Sequence, residues 1–158
     1  MKSKGFTIIE MLIVIVIITA LIGIALPRLR SMQSEGDYAK ARGELRTLQV
    51  AVESFYVHHT RAYPVQTTTV DMAWQGDAVS LTTAVPQIIA GVLLDPFNTA
   101  TEYRYATSAA SNSNYYVIFS LGPDGVAQIT GINTSGVIQP AARGDDIWAS
   151  NGTEPSGG

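Results

Sequence analysis

The chain has no cysteine, which excludes disulfides, thiol nucleophiles and cysteine-ligated zinc. Its 2 histidines are the adjacent His58 and His59. Neither has a serine or acid partner at a spacing that suits general-base catalysis, so they read as a polar helix end. No Walker-type or dinucleotide glycine pattern occurs, so energy for any mechanical work has to come from another protein. Positive charge is also short, with 10 Lys+Arg against 13 Asp+Glu and a net charge of -3. That excludes a basic nucleic-acid binder. No catalytic site is expected.

What the chain has in quantity is apolar residues at its start. Lys2 and Lys4 precede an uncharged run from Met11 to Leu26, and counting from Phe6 the segment reaches the ~20 residues an α-helix needs to cross a bilayer. The two lysines hold its start in the cytoplasm, so the remainder faces the other side. A secretory signal ends in small residues, whereas Leu26-Pro27-Arg28-Leu29-Arg30 follows here; the segment is expected to stay in the mature protein. One carboxylate, Glu10, stands inside it, where an unpaired charge costs about 2.5–3.5 kcal/mol. Lys4 is nearly two helical turns away. Cleavage after Gly5 would remove that lysine and create a new positive group, the α-amine of Phe6, about one turn from Glu10 of its own chain or of a staggered neighbour. It would also leave 8 Lys+Arg against 13 acids, a net -5.

Gly5-Phe6-Thr7-Ile8-Ile9-Glu10, with flanking lysines and the apolar run, resembles the leader of type IV pilins and type II secretion pseudopilins. The resemblance implies that a prepilin peptidase cuts between Gly5 and Phe6 and methylates Phe6, and that Glu10 guides subunits into a filament. Pro27 falls where many of these proteins have a proline that lets the long helix bend or melt locally. A single-pass signal anchor, its glutamate facing some other protein, is the competing reading of the same segment.

Beyond Pro27, Ala41, Leu45, Leu48, Val52 and Phe55 are spaced four, three, four and three apart, one helical stripe with Lys40, Arg42, Glu44, Arg46, Gln49 and Glu53 on the wet side. The spacing predicts that the helix runs to about His58 and stops before Tyr63-Pro64. Residues 65–95 read as an irregular connection with a short helix over 85–94 and Trp74 packed beneath it. Strands are predicted at Tyr103–Tyr105, Tyr115–Phe119 and Val126–Thr130, the last two joined by the turn Gly122-Pro123-Asp124-Gly125. Laying that sheet on the amphipathic half-helix buries both apolar faces and gives an α+β fold.

Leu94-Asp95-Pro96-Phe97-Asn98 and Phe119-Ser120-Leu121-Gly122-Pro123-Asp124-Gly125 are similar to the corresponding segments of the major pseudopilin of type II secretion. The resemblance implies a pilin fold and one calcium ion in the carboxy-terminal loop, held by Asp124, Asp145, Asp146 and the main-chain carbonyl of Leu121. Oxygen donors of this kind suit calcium, although residues 126–143 form a longer insertion, expected to add a hairpin, that would displace the acidic pair from the turn.

These readings combine into an expected layout: leader 1–5, transmembrane or filament-core helix 6–27, amphipathic half-helix 28–62, head 63–151 and flexible tail 152–158. The implied function is a structural subunit, stored in the bacterial inner membrane with its head in the periplasm. It polymerises with identical copies into a helical pseudopilus that drives protein export. Its implied partners are membrane lipid before assembly, the prepilin peptidase, minor pseudopilins and an inner-membrane assembly platform. A type IV pilin of a surface fibre is the alternative, disfavoured because many such pilins close their terminal loop with a disulfide. A membrane-anchored periplasmic enzyme or binding protein is the reading from another class.

Overall fold

The computed structural model describes residues 5–59, 61–64, 74–76, 80–109, 113–140, 142, 144–154 and 157. Lys2, Lys4 and the threonine-rich stretch 67–69 lie outside them. One helix, α1, spans Ile8–His58, and the chain divides into two units, 1–36 and 37–158, each described by itself.

In the first unit α1 starts after Thr7, whose Oγ1 accepts the Glu10 N–H at 3.3 Å. That hydroxyl satisfies one of the amide groups every helix start leaves unpaired. Ile8–Leu26, 19 residues with mean hydropathy 2.9, is long and apolar enough to cross a membrane, and none of it is buried. The one hydroxyl in this stretch, Thr19 Oγ1, donates to Ile15 O at 2.8 Å, which removes an unmet polar group from an apolar surface. Pro27 lies inside α1 without breaking it; lacking an N–H, it leaves the Gly23 carbonyl without its usual partner.

In the second unit the predicted stripe is the buried one: Ala41, Leu45, Leu48, Val52 and Phe55 are all at most 3% exposed. It packs on Trp74, Leu81, Tyr103, Tyr105, Tyr116, Ile118 and Ile147. Three antiparallel strands face it in the order β3 (Arg104–Thr107), β4 (Tyr116–Ser120), β7 (Ile147–Ser150). β1 (Leu94–Asp95) and β2 (Asn98–Glu102) form a hairpin, and β5 (Gly131–Ile132) and β6 (Ile138–Gln139) another.

All five residues of β4 are buried, because both faces of the sheet are covered. Tyr116 and Ile118 point into the helix-side core, while Val117 and Phe119 belong to a second cluster with Ala106, Ile129, Ile132 and Ile138. That alternation is the two-residue period of a strand. The insertion expected to add a hairpin therefore does so, and the hairpin closes the outer face of the sheet.

Three expectations differ from the structure. Val126–Thr130 is not a strand, and the partner of β4 on that side is β7, with Phe119 opposite Trp148. Residues 85–94 hold no helix; the described part of the connection is turns gathered round the buried Gln75. Its side chain exchanges two hydrogen bonds with the Leu93 backbone, 2.9 Å each, and its carbonyl accepts from Ser80 Oγ at 2.6 Å and Thr82 Oγ1 at 2.9 Å. Trp74 is buried as expected, stacked on Tyr105 at 4.4 Å and donating to the Tyr103 carbonyl at 2.7 Å. The tail is bonded where it was expected to be loose: Trp148 N–H donates to Gly157 O at 2.9 Å, Gly157 N–H returns to Trp148 O at 3.2 Å, and Thr153 N–H reaches Gly136 O at 2.9 Å.

Polar ties cross the helix–sheet core. Tyr103 Oη donates to Glu44 Oε2 at 2.7 Å and Tyr116 Oη to Glu53 Oε1 at 2.9 Å. Burial first, and then these carboxylates, push both phenols well above their ordinary range. Tyr63 is pushed up to about 12, chiefly by burial and then by the Glu53 charge. A raised folded-state value means the fold holds the phenol proton more tightly than the unfolded chain does. The resulting stability is fully present below the unfolded value of ~10 and is lost as pH rises above it. Tyr103 and Tyr116 are each expected to remove about 1.4 kcal/mol per pH unit above ~10, with a smaller share from Tyr63. Alkaline titration followed by phenolate absorbance and circular dichroism should show these groups ionising only as the head unfolds.

Candidate functional site

Two places carry the chemistry expected from the sequence. At the start of the chain, Gly5 and Phe6 are exposed and precede α1, so the Gly5–Phe6 bond lies in open, non-helical backbone. Glu10 stands in the first turn of α1 and is exposed. Thr7 and Glu10 have the spacing of a capping box, and the Thr7 half of it is formed. The role of Thr7 was missed in the sequence reading, although a Thr three residues before a Glu was the available signal. The cap places Glu10 one turn along from the amine that cleavage would expose.

The second place is the loop after β4. Gly122 and Gly125 have φ of +66° and +68°, a conformation glycine adopts without strain. At Gly122 a Cβ would also run into the main-chain carbonyl of Asp145. Asp145 is therefore against the turn, not displaced by the insertion, and its Oδ2 accepts the Asp124 N–H at 3.1 Å. Asp124 in turn accepts Val126 N–H at 2.7 Å and Gln128 Nε2 at 2.6 Å.

Asp146 points elsewhere and is fully buried. Its Oδ2 accepts the N–H groups of Gln128 at 2.8 Å and Ile129 at 2.6 Å. Two successive backbone donors of Val126–Thr130 are thus held by a carboxylate and not by a strand. Its Oδ1 is buried with no hydrogen-bond partner among the described residues. Burial raises the Asp146 pKa, the Ile129 and Gln128 amides oppose that, and the charges of Asp145 and Asp124 add to it.

Leu121 and Ser120 are fixed by a residue the sequence reading left without a role. Asp95, fully buried, accepts from Phe97 N–H at 3.0 Å and Ser120 Oγ at 2.8 Å through Oδ1, and from Leu121 N–H at 2.9 Å through Oδ2. The Asp-Pro-aromatic and Ser-Leu-Gly segments are thus two halves of one bonded unit.

The donor set is all oxygen and acidic, the chemistry calcium selects, and the partnerless Asp146 Oδ1 is an acceptor that a cation would satisfy. Among the described residues no three acidic or histidine side chains already stand together as a metal-holding group. By type and charge the residues suit such an ion, but the carboxylates are not gathered round one point: two lie at the turn and the third is buried behind it. The histidines fit their predicted place at the helix end, His58 Nδ1 lying 2.7 Å from Ser54 O and His59 stacked on Phe55 at 4.3 Å.

Comparison with known proteins covers the start of the chain and the turn after β4, and the family match ends before Asp145. Residues 28–137 match the family described as type II secretion system (T2SS), protein G, and residues 1–26 match the prokaryotic N-terminal methylation motif. The chain is 28% identical over 135 residues to the type II secretion system core protein G of Klebsiella pneumoniae, covering 80% of this chain and 89% of that one. It is 35% identical over 60 residues to the type IV major pilin protein PilA of Myxococcus xanthus, covering 38% of this chain and 27% of that one. A third relative, the fimbrial protein EcpB of Eikenella corrodens, is 42% identical over 57 residues, 36% of each chain. No solved structure matches.

Asp95→Ala would strand three donors at the base of the turn, and an expected loss of about 3–5 kcal/mol follows. Urea unfolding of wild type and variant measures it directly; a change below 1 kcal/mol would mean that the turn is held by other contacts.

Proposed function

The chain belongs to the protein G family of type II secretion systems, and from that membership we propose that it is the major subunit of a periplasmic pseudopilus whose growth drives protein export. The observation that carries the reading is the joint match, with the methylation motif over 1–26 and the protein G family over 28–137. The pilin relatives favour a surface fibre as the second reading, but they cover 38% and 36% of this chain against 80% for the secretion protein.

The subunit works by assembly, not by turning over a substrate. Before cleavage the apolar segment rests in the inner membrane with the lysines on the cytoplasmic side and the head in the periplasm. A prepilin peptidase cuts between Gly5 and Phe6, and the Phe6 amine becomes the cation that Glu10 lacks. Because a bare carboxylate in hydrocarbon costs about 2.5–3.5 kcal/mol, a neighbour that brings its own Phe6 amine to Glu10 is favoured over lipid. Pro27 loosens the helix at the far end of the apolar segment, since lacking an N–H it gives the Gly23 carbonyl no donor and weakens the ladder locally. The inner-membrane assembly platform and minor pseudopilins are the partners this reading requires.

Asp124, Asp145, Asp146 and the Leu121 carbonyl are the residues that would hold calcium, and the bound ion would offset the mutual repulsion of the three carboxylates. Asp95 holds Leu121 in place for it.

Two measurements test the reading. Glu10→Ala should leave the protein inserted and folded yet abolish fibres, and deletion of the gene should trap exported proteins in the periplasm; normal secretion with lost surface fibres would select the pilin reading. Calcium at a hundredfold over Kd should add about 2.7 kcal/mol to head stability, reversed by EGTA and absent in Asp124→Ala. A melting temperature indifferent to both reagents would remove the ion.

A further inference from the structure

The sequence holds one Asn-Gly pair, Asn151-Gly152, directly after β7. In water such a pair is chemically unstable. Glycine has no side chain to shield its amide nitrogen, and that nitrogen can attack the Cγ of the asparagine before it. Gly152 N gives its proton to solvent and bonds to Cγ. The Cγ–Nδ2 bond breaks, Nδ2 takes a proton from solvent, and ammonia leaves. Water then opens the cyclic imide at either carbonyl, giving aspartate or isoaspartate.

Both members of the pair are fixed by their surroundings. A Cβ at Gly152 would run into the Gly136 carbonyl and the Ile132 side chain, so the β5–β6 hairpin admits only glycine there. Asn151 ties three segments together. Its Oδ1 accepts Tyr116 N–H at 2.8 Å, and its Nδ2 donates to Tyr63 Oη at 2.8 Å and to Asn114 O at 3.0 Å. One acceptor and two donors on so short a stem are what an asparagine amide offers.

The same bonds oppose the reaction. To bring Cγ onto Gly152 N, the side chain has to give up all three of them. The attacking N–H is itself engaged with Ser150 Oγ at 3.2 Å, and Thr153 fastens the following peptide to Gly136 O through its N–H at 2.9 Å and its Oγ1 at 3.2 Å. Cyclisation therefore waits for this segment to come away locally.

We infer that Asn151-Gly152 is a site of spontaneous deamidation, held closed by the folded head and released when the segment after β7 opens, and that the change bars the segment from closing again. A carboxylate at 151 has no donor for Asn114 O. It also sets a second negative charge beside Tyr63, on which the Glu53 charge already bears. Isoaspartate lengthens the backbone just where Thr153 has to reach Gly136. Each opening thus carries a chance of becoming permanent.

The test uses the full chain in detergent micelles, held in mildly alkaline buffer with and without denaturing urea, beside a synthetic peptide of residues 147–154. Mass spectrometry of the tryptic peptide that follows Arg143 reads the conversion of Asn151 to acid. The unfolded chain should react at the rate of the peptide, and the folded chain about a hundredfold more slowly, because three hydrogen bonds have to open first. Tyr63→Phe, which removes one acceptor and keeps the ring, should speed the folded reaction several-fold. Asn151→Asp should melt at a lower temperature than the unmodified chain or fail to fold. A folded chain that reacts as fast as the peptide, or a Tyr63→Phe chain whose rate is unchanged, would overturn the closure. An Asn151→Asp chain that melts like the unmodified one would overturn the one-way step. If Tyr63→Phe does not fold, the folded and unfolded rates of the unmodified chain decide the closure.

Discussion

The Asp95 carboxyl accepts three hydrogen bonds, from Phe97, Ser120 and Leu121, and the whole loop side of the head takes its position from them. β4 ends at Ser120, and beyond it no sheet neighbour is available to fix the chain. A buried carboxyl does so instead, from a hairpin that is 25 residues earlier in sequence. With Leu121 anchored, Gly122 can turn back at positive φ against the Asp145 carbonyl, and Asp124 meets the Asp145 side chain. Each step depends on the one before it. Among carboxylates, such bonds to backbone N–H are the strong kind, and losing the acceptor leaves buried donors with nothing to replace it.

Asp146 repeats the device on the other side of the sheet. It accepts two backbone N–H groups from residues 128 and 129 and thereby seats Ile129 in the outer cluster with Phe119 and Ile138. Without that cluster, Val117 and Phe119 would face water. The two buried acids thus do for the terminal loop what a cross-link does elsewhere, in a chain that has no cysteine to make one. Covalent closure acts mainly by limiting the unfolded chain, whereas these acids act only on the folded one. Such a loop responds to whatever changes the charge nearby, and a disulfide-closed loop would not.

Much of this was legible, and the limits of legibility have physical causes. The stripe from Ala41 to Phe55 reads directly because a helix's period is local. Trp74 reads as buried because a large aromatic has few other places to go. The partner of β4 did not read correctly. Val126–Thr130 has the alternation and turn that signal a hairpin strand, yet two of its N–H groups bond to the distant Asp146 carboxyl and a third to Gln139 O; no window of local sequence contains all of these. β7 is four residues, Ile147–Ser150, too short for periodicity to register. The tail misled through composition. Glycine there looks like slack, yet a Cβ at 157 would lie 2.5 Å from Trp148 Cζ2, so glycine is what allows the tail to pair with Trp148. At the turn the acidic residues were legible as a group, but their division into two at the turn and one buried behind it was not, because orientation along a strand edge depends on register.

Charge placement sets the start of the chain apart. A folded monomer usually pairs its buried or crowded charges internally, as Tyr103 and Tyr116 do for Glu44 and Glu53. Glu10 is different, an acid that stands in an apolar stretch. Under the proposed filament reading it becomes favourable when a second copy brings its Phe6 amine alongside. Hydrophobic contact between apolar helices sets no offset between copies, since sliding one along the other by a turn changes the buried area little, and in lipid it scarcely drives association at all. Paired charges do set it, because a shift of a few ångströms separates them. A charge pair of that kind would supply what the apolar surface lacks, a preferred stagger between copies, which a regular fibre requires.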